Sequence, residues 1–146
     1  MKAKTCMLVT LLLMGPGLAS AKDKIVHYPF ANALAAATQS GKLDGSVKFY
    51  LHGIDPQGQV TVVKPDVSVN RKTNAFGKRD QATCDWALQS ALIALQDQAK
   101  EAGANAVVDI VSDYDAEYGD PEKYECHVGF LMSGVIMKGK LAKVQP

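Results

Sequence analysis

The spacing of apolar residues along the chain predicts two helices. Apolar residues recur every three or four positions in residues 29–40 and again from about residue 80 to residue 102, which is the period of an amphipathic helix. The second pattern is the stronger one. Its apolar stripe comprises Cys84, Leu88, Ala91, Leu92, Leu95, Ala99 and Ala102. Gly41 and Gly103 follow the two stretches, and glycine commonly ends a helix.

Runs rich in β-branched and aromatic residues predict strands elsewhere. They are residues 47–51, 59–63, 66–70, 106–111 and about 125–141. Residues 71–80 and 113–123 are polar and predict loops. We therefore predict an α+β domain with a mainly antiparallel sheet and one long helix packed on it, in a β-β-α-β-β core, plus a short N-terminal helix.

The N-terminal residues have the pattern of a secretory signal peptide. Lys2 and Lys4 precede an apolar run at residues 7–14, and a small-residue A-x-A cleavage site follows. The run is shorter than the roughly 20 residues that span a bilayer. We predict a signal peptide at residues 1–21, a single exported domain at residues 22–146 and a soluble periplasmic location. An uncleaved membrane anchor is the alternative.

The predicted exported domain is nearly neutral. Removing Lys2 and Lys4 from the 16 basic residues leaves 14 against 15 acidic residues, a formal charge of −1 instead of +1. Such a chain has no broad electrostatic attraction for nucleic acid or for an anionic membrane. We therefore expect no nucleic-acid partner, and no apolar stretch after the signal peptide is long enough for a membrane span.

Two cysteines of the exported domain, Cys84 and Cys126, predict one disulfide. The helix that follows Cys84 covers about 27 Å, and the strand after it returns over about 26 Å. Both cysteines are therefore expected at the same end of the domain. A pair of buried thiols and a metal site are the alternatives.

Three segments resemble known proteins: residues 72–78 (KTNAFGK), residues 84–110 (CDWALQSALIALQDQAKEAGANAVVDI) and residues 125–144 (ECHVGFLMSGVIMKGKLAKV). They resemble a family of small proteobacterial secreted proteins often labelled excinuclease ATPase subunits. They are more distantly similar to YbjQ-like and RcsF-like domains. The resemblance implies a compact sheet-and-helix domain, a role in the cell envelope and a capacity to form rings.

The residues do not support an ATPase. A P-loop requires G-x-x-x-x-G-K-[ST], but Arg79 follows Gly77-Lys78, and Lys72 stands where the first glycine is required. The chain has no C-x-x-C pair that would suggest a zinc site. It also lacks the lipid-bearing cysteine of RcsF-like lipoproteins.

Cys126 and His127 are the residues most suggestive of chemistry. Neighbouring residues of a strand point to opposite faces, so the two side chains are not expected to share a metal ion or to act as nucleophile and base. We therefore predict no catalytic residues, no cofactor and no enzymatic activity. The alternative function is a metal-binding envelope protein that uses His127 with carboxylates of the acidic loop at residues 113–123, or Cys126 if it is reduced.

A basic loop before the long helix is the candidate binding surface. It comprises Arg71, Lys72, Asn74, Phe76, Lys78 and Arg79. Basic side chains beside an exposed aromatic ring suit an anion or a partner, although a solvated loop is the alternative. We predict a non-catalytic binding or structural protein of the envelope. Its partner is expected to be an envelope protein or an anionic ligand, with homo-oligomer formation left open.

Overall fold

Two helices and seven strands make up the regular structure of the described residues. A computed structural model describes residues 22–146, together with Gly15; the predicted signal peptide otherwise lies outside the described residues. The helices are α1 (Phe30–Gln39) and α2 (Asp80–Glu101). The strands are β1 (Lys24–Pro29), β2 (Lys48–Leu51), β3 (Gln59–Asn74), β4 (Ala106–Asp113), β5 (Glu117–Tyr118), β6 (Lys123–Val128) and β7 (Met132–Gln145).

The predicted fold class, one long helix on a mainly antiparallel β-β-α-β-β core, is wrong. Strands make up 44% of the described chain and form one curled, mixed sheet of seven strands. The strands β1, β6, β7, β4 and β2 follow one another, β3 pairs with β7, and β5 pairs with β4. β2 and β4 are parallel, while the other pairings are antiparallel. Strand pairing joins residues distant in sequence, so the local pattern did not reveal this order.

β3 differs most from its prediction. Two predicted short strands and part of the predicted basic loop form one strand of 16 residues that pairs with β7. Pro65 lies where the register with β7 shifts, so a residue that ordinarily breaks a strand is accommodated at a bulge. Arg71 and Lys72 therefore belong to a strand and not to a loop.

The predicted strand at residues 125–141 is instead a hairpin. β6 ends at Val128 and β7 begins at Met132. The turn between them is closed by the amide of Gly129, which donates to the carbonyl oxygen of Met132 at 2.8 Å. This turn lies beside the end of β3, because Asn74 pairs with Met132.

The core lies between α2 and one face of the sheet. The predicted apolar stripe of α2 is confirmed, since its residues are fully buried except for Ala102, which is partly buried. On the sheet, the facing side chains are Val67, Val69, Val107, Ile110, Tyr124, Cys126, Val135, Met137 and Leu141. α1 packs on α2 and buries Phe30, Ala33 and Ala37.

The predicted cysteine pair is confirmed at disulfide distance. Cys84 of α2 and Cys126 of β6 are fully buried, and their Cα atoms lie 5.9 Å apart. The bond links the first turns of α2 to β6, and its two cysteines are 42 residues apart in the chain. Among the residues described, neither helix combines the length and the apolar character that a membrane crossing requires.

Candidate functional site

The two faces of β6 differ in their chemistry. Tyr124 and Cys126 point toward α2, where the hydroxyl of Tyr124 donates to Asp85 at 2.5 Å and Cys126 meets Cys84. Burial raises the pKa of Tyr124, and the hydrogen bond to Asp85 raises it further. The hydroxyl therefore stays protonated and donates this hydrogen bond. His127 points to the opposite face of the sheet. Its ring contacts Glu125 and Tyr114 there, away from the cysteine pair.

A histidine–glutamate cluster lies on the outer face of β1 and β6. His27 faces Glu125 across the ladder, with its Nε2 3.2 Å from Oε2 of that carboxylate. Nε2 of His127 lies 3.1 Å from the other oxygen, Oε1. The ring of Tyr114 stacks on His127 at a centroid distance of 3.8 Å. The ring of Tyr118 lies 4.3 Å from that of His27.

Glu125 holds the two imidazoles of this cluster through their Nε2 atoms, and the cluster is not arranged as a metal centre. The two imidazoles approach different oxygens of one carboxylate instead of converging on a common point. Asp115 of the acidic loop is 77% exposed and lies 3.9 Å from Nδ1 of His127. Within residues 22–146, no three side chains of His, Cys, Asp or Glu are grouped so that they would hold a metal ion. Mutual hydrogen bonding and the stacked tyrosine account for the burial of His127.

The predicted basic loop and the β6–β7 turn together form one end of the molecule. The amide of Ala75 donates to the carbonyl oxygen of Leu131 at 2.8 Å, which joins the two segments. The rings of Phe76 and Phe130 meet edge to face, with centroids 5.5 Å apart. Phe76, Phe130, Leu131 and Met132 form what we call the apolar tip, and their exposed fractions are 60%, 80%, 60% and 46%.

Four cations flank Phe76 of the apolar tip along the chain. Arg71 and Lys72 precede it on β3, and Lys78 and Arg79 follow it in the loop. Val69 is buried toward the core, so Arg71 lies on that face of the strand and Lys72 on the other. All four cations are exposed, and within residues 22–146 none of them forms an ion pair.

Asn74, the remaining residue of the predicted surface, shapes the loop. Its Oδ1 accepts a hydrogen bond from the amide of Phe76 at 2.9 Å, and its carbonyl oxygen accepts one from Thr83 at 3.2 Å. Gly77 then turns the chain with a φ of 70°, a conformation that favours glycine. The loop is therefore held in one shape by contacts within the chain.

The six predicted surface residues share this end of the molecule, but three of the four residues of the apolar tip were not predicted. Phe130, Leu131 and Met132 belong to a continuous apolar run that resembles the interior of a strand. Gly129 was the available signal, because glycine and the adjacent change of pattern are typical of a hairpin turn.

The N-terminus of α2 is already occupied by a carboxylate. Asp80 lies in the first turn and forms an ion pair with Lys24 of β1. The hydrogen bond from Lys24 to Asp80 raises the pKa of that lysine. The dipole of α2 is thus complemented from within the chain, and the surrounding cations are the groups left to meet an external anion.

A second polar cluster lines a groove of about 460 Å³ on the sheet. Nδ1 of His52 lies 2.6 Å from Asp109, whose other oxygen lies 3.1 Å from Nζ of Lys140. The hydrogen bond from His52, with a smaller contribution from Lys140, holds the pKa of Asp109 below its ordinary value. The three side chains are 58%, 40% and 44% exposed, so the cluster is a solvated ion-pair network.

No family model matches the chain, and no curated protein matches it.

Proposed function

We propose that the chain is a non-catalytic binding protein of the cell envelope, and that it binds its partner through the apolar tip and the four cations around it. The observation that carries the proposal is the exposure of four large apolar side chains, 46–80% each, at a single end. Adjacent exposed apolar side chains rimmed by polar residues are typical of an interaction site. The unpaired cations add a preference for a negatively charged partner.

The apolar tip is held in place before any partner arrives. The hydrogen bond between Ala75 and Leu131 and the edge-to-face contact of Phe76 with Phe130 join its two segments, and the bond that Asn74 accepts from the amide of Phe76 holds the loop in shape. A preformed surface loses less conformational entropy on binding than a mobile loop would. The geometry therefore supports binding without rearrangement of the backbone.

The envelope location rests on the signal-peptide pattern at residues 1–21. The cysteine pair agrees with it, because disulfides persist in oxidising compartments. The segments that resemble small secreted proteobacterial proteins, residues 72–78 and 125–144, also contain both halves of the apolar tip. These three features support a secreted binding protein. The apolar tip of the proposed binding surface also lies within the segments that resemble the secreted family.

Site-specific photo-crosslinking in cells that export the protein tests the proposal. A benzophenone-bearing phenylalanine analogue at Phe130 should form adducts, because the tip lies against its partner. The matched control position is Val63, which is 40% exposed on the other half of β3. We expect adducts at position 130 and few at position 63, and we expect the K78Q/R79Q variant to lose them. Equal adduct yields at the two positions would contradict the proposal.

A further inference from the structure

We propose that the partner of the apolar tip is the surface of an anionic lipid bilayer, an inference that rests on the proposed function. The tip presents Phe, Leu and Met side chains on two adjacent turns, with cations immediately beside them. Apolar side chains that enter the headgroup region, combined with basic residues that meet lipid phosphates, are the two components of interfacial membrane binding.

The order of residues around the tip fits this geometry. Phe130 is 80% exposed at the turn, whereas Arg71 and Lys72 lie further back on β3 and on opposite faces of the strand. Lysine and arginine side chains are long enough to extend their charges along an apolar surface toward headgroups. The tip is therefore suited to insert its apolar side chains while cations on both faces remain at the level of the phosphates.

The charge at this end differs from the charge of the whole chain. Three carboxylates lie nearby. Asp80 is paired with Lys24, Asp85 shares a groove with Arg79, and Asp23 lies beside Gly129. The four exposed cations without ion pairs outnumber Asp85 and Asp23. The near-neutral composition predicts no broad attraction to an anionic membrane, but a net charge does not report a local group of cations.

Charge also argues against two other occupants. Residues 1–21 contain Lys2 and Lys4 and no acidic residue, so this segment does not complement a basic surface. A second copy would bring its own four cations against the first if the two tips met. An anionic bilayer supplies both the apolar interior and the negative charge that the tip lacks.

Vesicle co-sedimentation tests the inference with protein purified after export, its N-terminus defined by mass spectrometry. The probes are vesicles of phosphatidylcholine alone and of phosphatidylcholine mixed with phosphatidylglycerol. We expect binding to the mixed vesicles only. Added salt should weaken this binding, and each of the substitutions K72Q, K78Q and R79Q should weaken it by about fivefold. The F130S/L131S variant should lose binding, whereas V60S/V62S, which removes exposed valines from the other half of β3, should bind like the wild type.

The outcomes separate the lipid inference from the proposed function. Equal binding of wild type and F130S/L131S to mixed vesicles would overturn the inference, as would equal binding to both kinds of vesicle. Crosslinks from position 130 to a protein, or tip-dependent self-association in sedimentation velocity, without vesicle binding would overturn the lipid inference and leave the binding function intact. Failure of both experiments would remove both proposals. A thermal melt of each variant shows that it remains folded.

Discussion

Asp109 illustrates how a single residue can shape a sheet. It has a φ of 52°, the one positive value outside glycine among the described residues, and it lies where β4 shifts register against β7. Aspartate tolerates this left-handed conformation better than most residues. His52 and Lys140 then bind its carboxylate. Asp109 therefore both adopts the backbone conformation of the bulge and holds the ion-pair network.

The substitution D109N should lower the free energy of unfolding by about 0.5–1 kcal/mol at neutral pH, because it removes a partly exposed ion-pair network. The pKa of Asp109 is lowered in the folded state, so its charge stabilises the fold above the ordinary value of 3.8. That stabilisation is lost as the pH falls below 3.8. Urea denaturation at several pH values should therefore show the wild type and D109N converging in acid.

The matched variant D109A tests the backbone contribution. Alanine is strained in the left-handed region, so D109A should be less stable than D109N by about another 1 kcal/mol at every pH. A difference between wild type and D109N that did not change with pH would contradict the role assigned to the charge.

At the scale of elements, the helices were predictable and the sheet was not. The stripe of α2 is a local signal, because residues three and four apart share a helix face. β1 had no counterpart among the predicted elements, since its six residues, KIVHYP, are too few to show a clear alternation. Pro65 and the polar residues after Val69 concealed β3, whose length is set by its partner β7.

The cysteine pair connects two elements that approach only in the folded chain. C84S/C126S should lower the free energy of unfolding by about 4 kcal/mol in the chain-entropy description, because the bond closes a loop of 42 residues. Chemical denaturation of the oxidised wild type, the reduced wild type and the double variant measures this. The reduced wild type should resemble C84S/C126S, and an oxidised wild type no more stable than either would show that the bond is absent or without effect.

At the scale of the whole molecule, the candidate site was only half predictable. The basic loop is contiguous in sequence, and its composition indicated a binding surface. Phe76 and Phe130 are distant in sequence and meet because β3 and β7 are paired along their whole lengths. The His27–Glu125–His127 cluster was hidden for the same reason, since His27 of β1 and Glu125 of β6 are 98 residues apart in the chain.

A native intact mass of the protein, isolated without chelator from cells that express it, tests the predicted signal-peptide cleavage, the disulfide and metal binding together. We expect a chain that begins at Lys22, is two hydrogens lighter than the reduced sequence and carries no metal, because His127 is engaged by Glu125 and covered by Tyr114. A reduced chain with a stoichiometric metal adduct would contradict this. H127A and C126S would then show which ligand is used.

Within the described chain β3 pairs only with β7, so the other edge of β3 presents unpaired backbone donors and acceptors. Such an edge can pair with a strand of a neighbouring molecule, which is a route to aggregation. Pro65 removes one donor, and the bulge around it bends the first half of the strand. Arg71 and Lys72 place positive charge on the second half. We therefore expect Arg71 and Lys72 to oppose edge-to-edge pairing between concentrated copies of the protein.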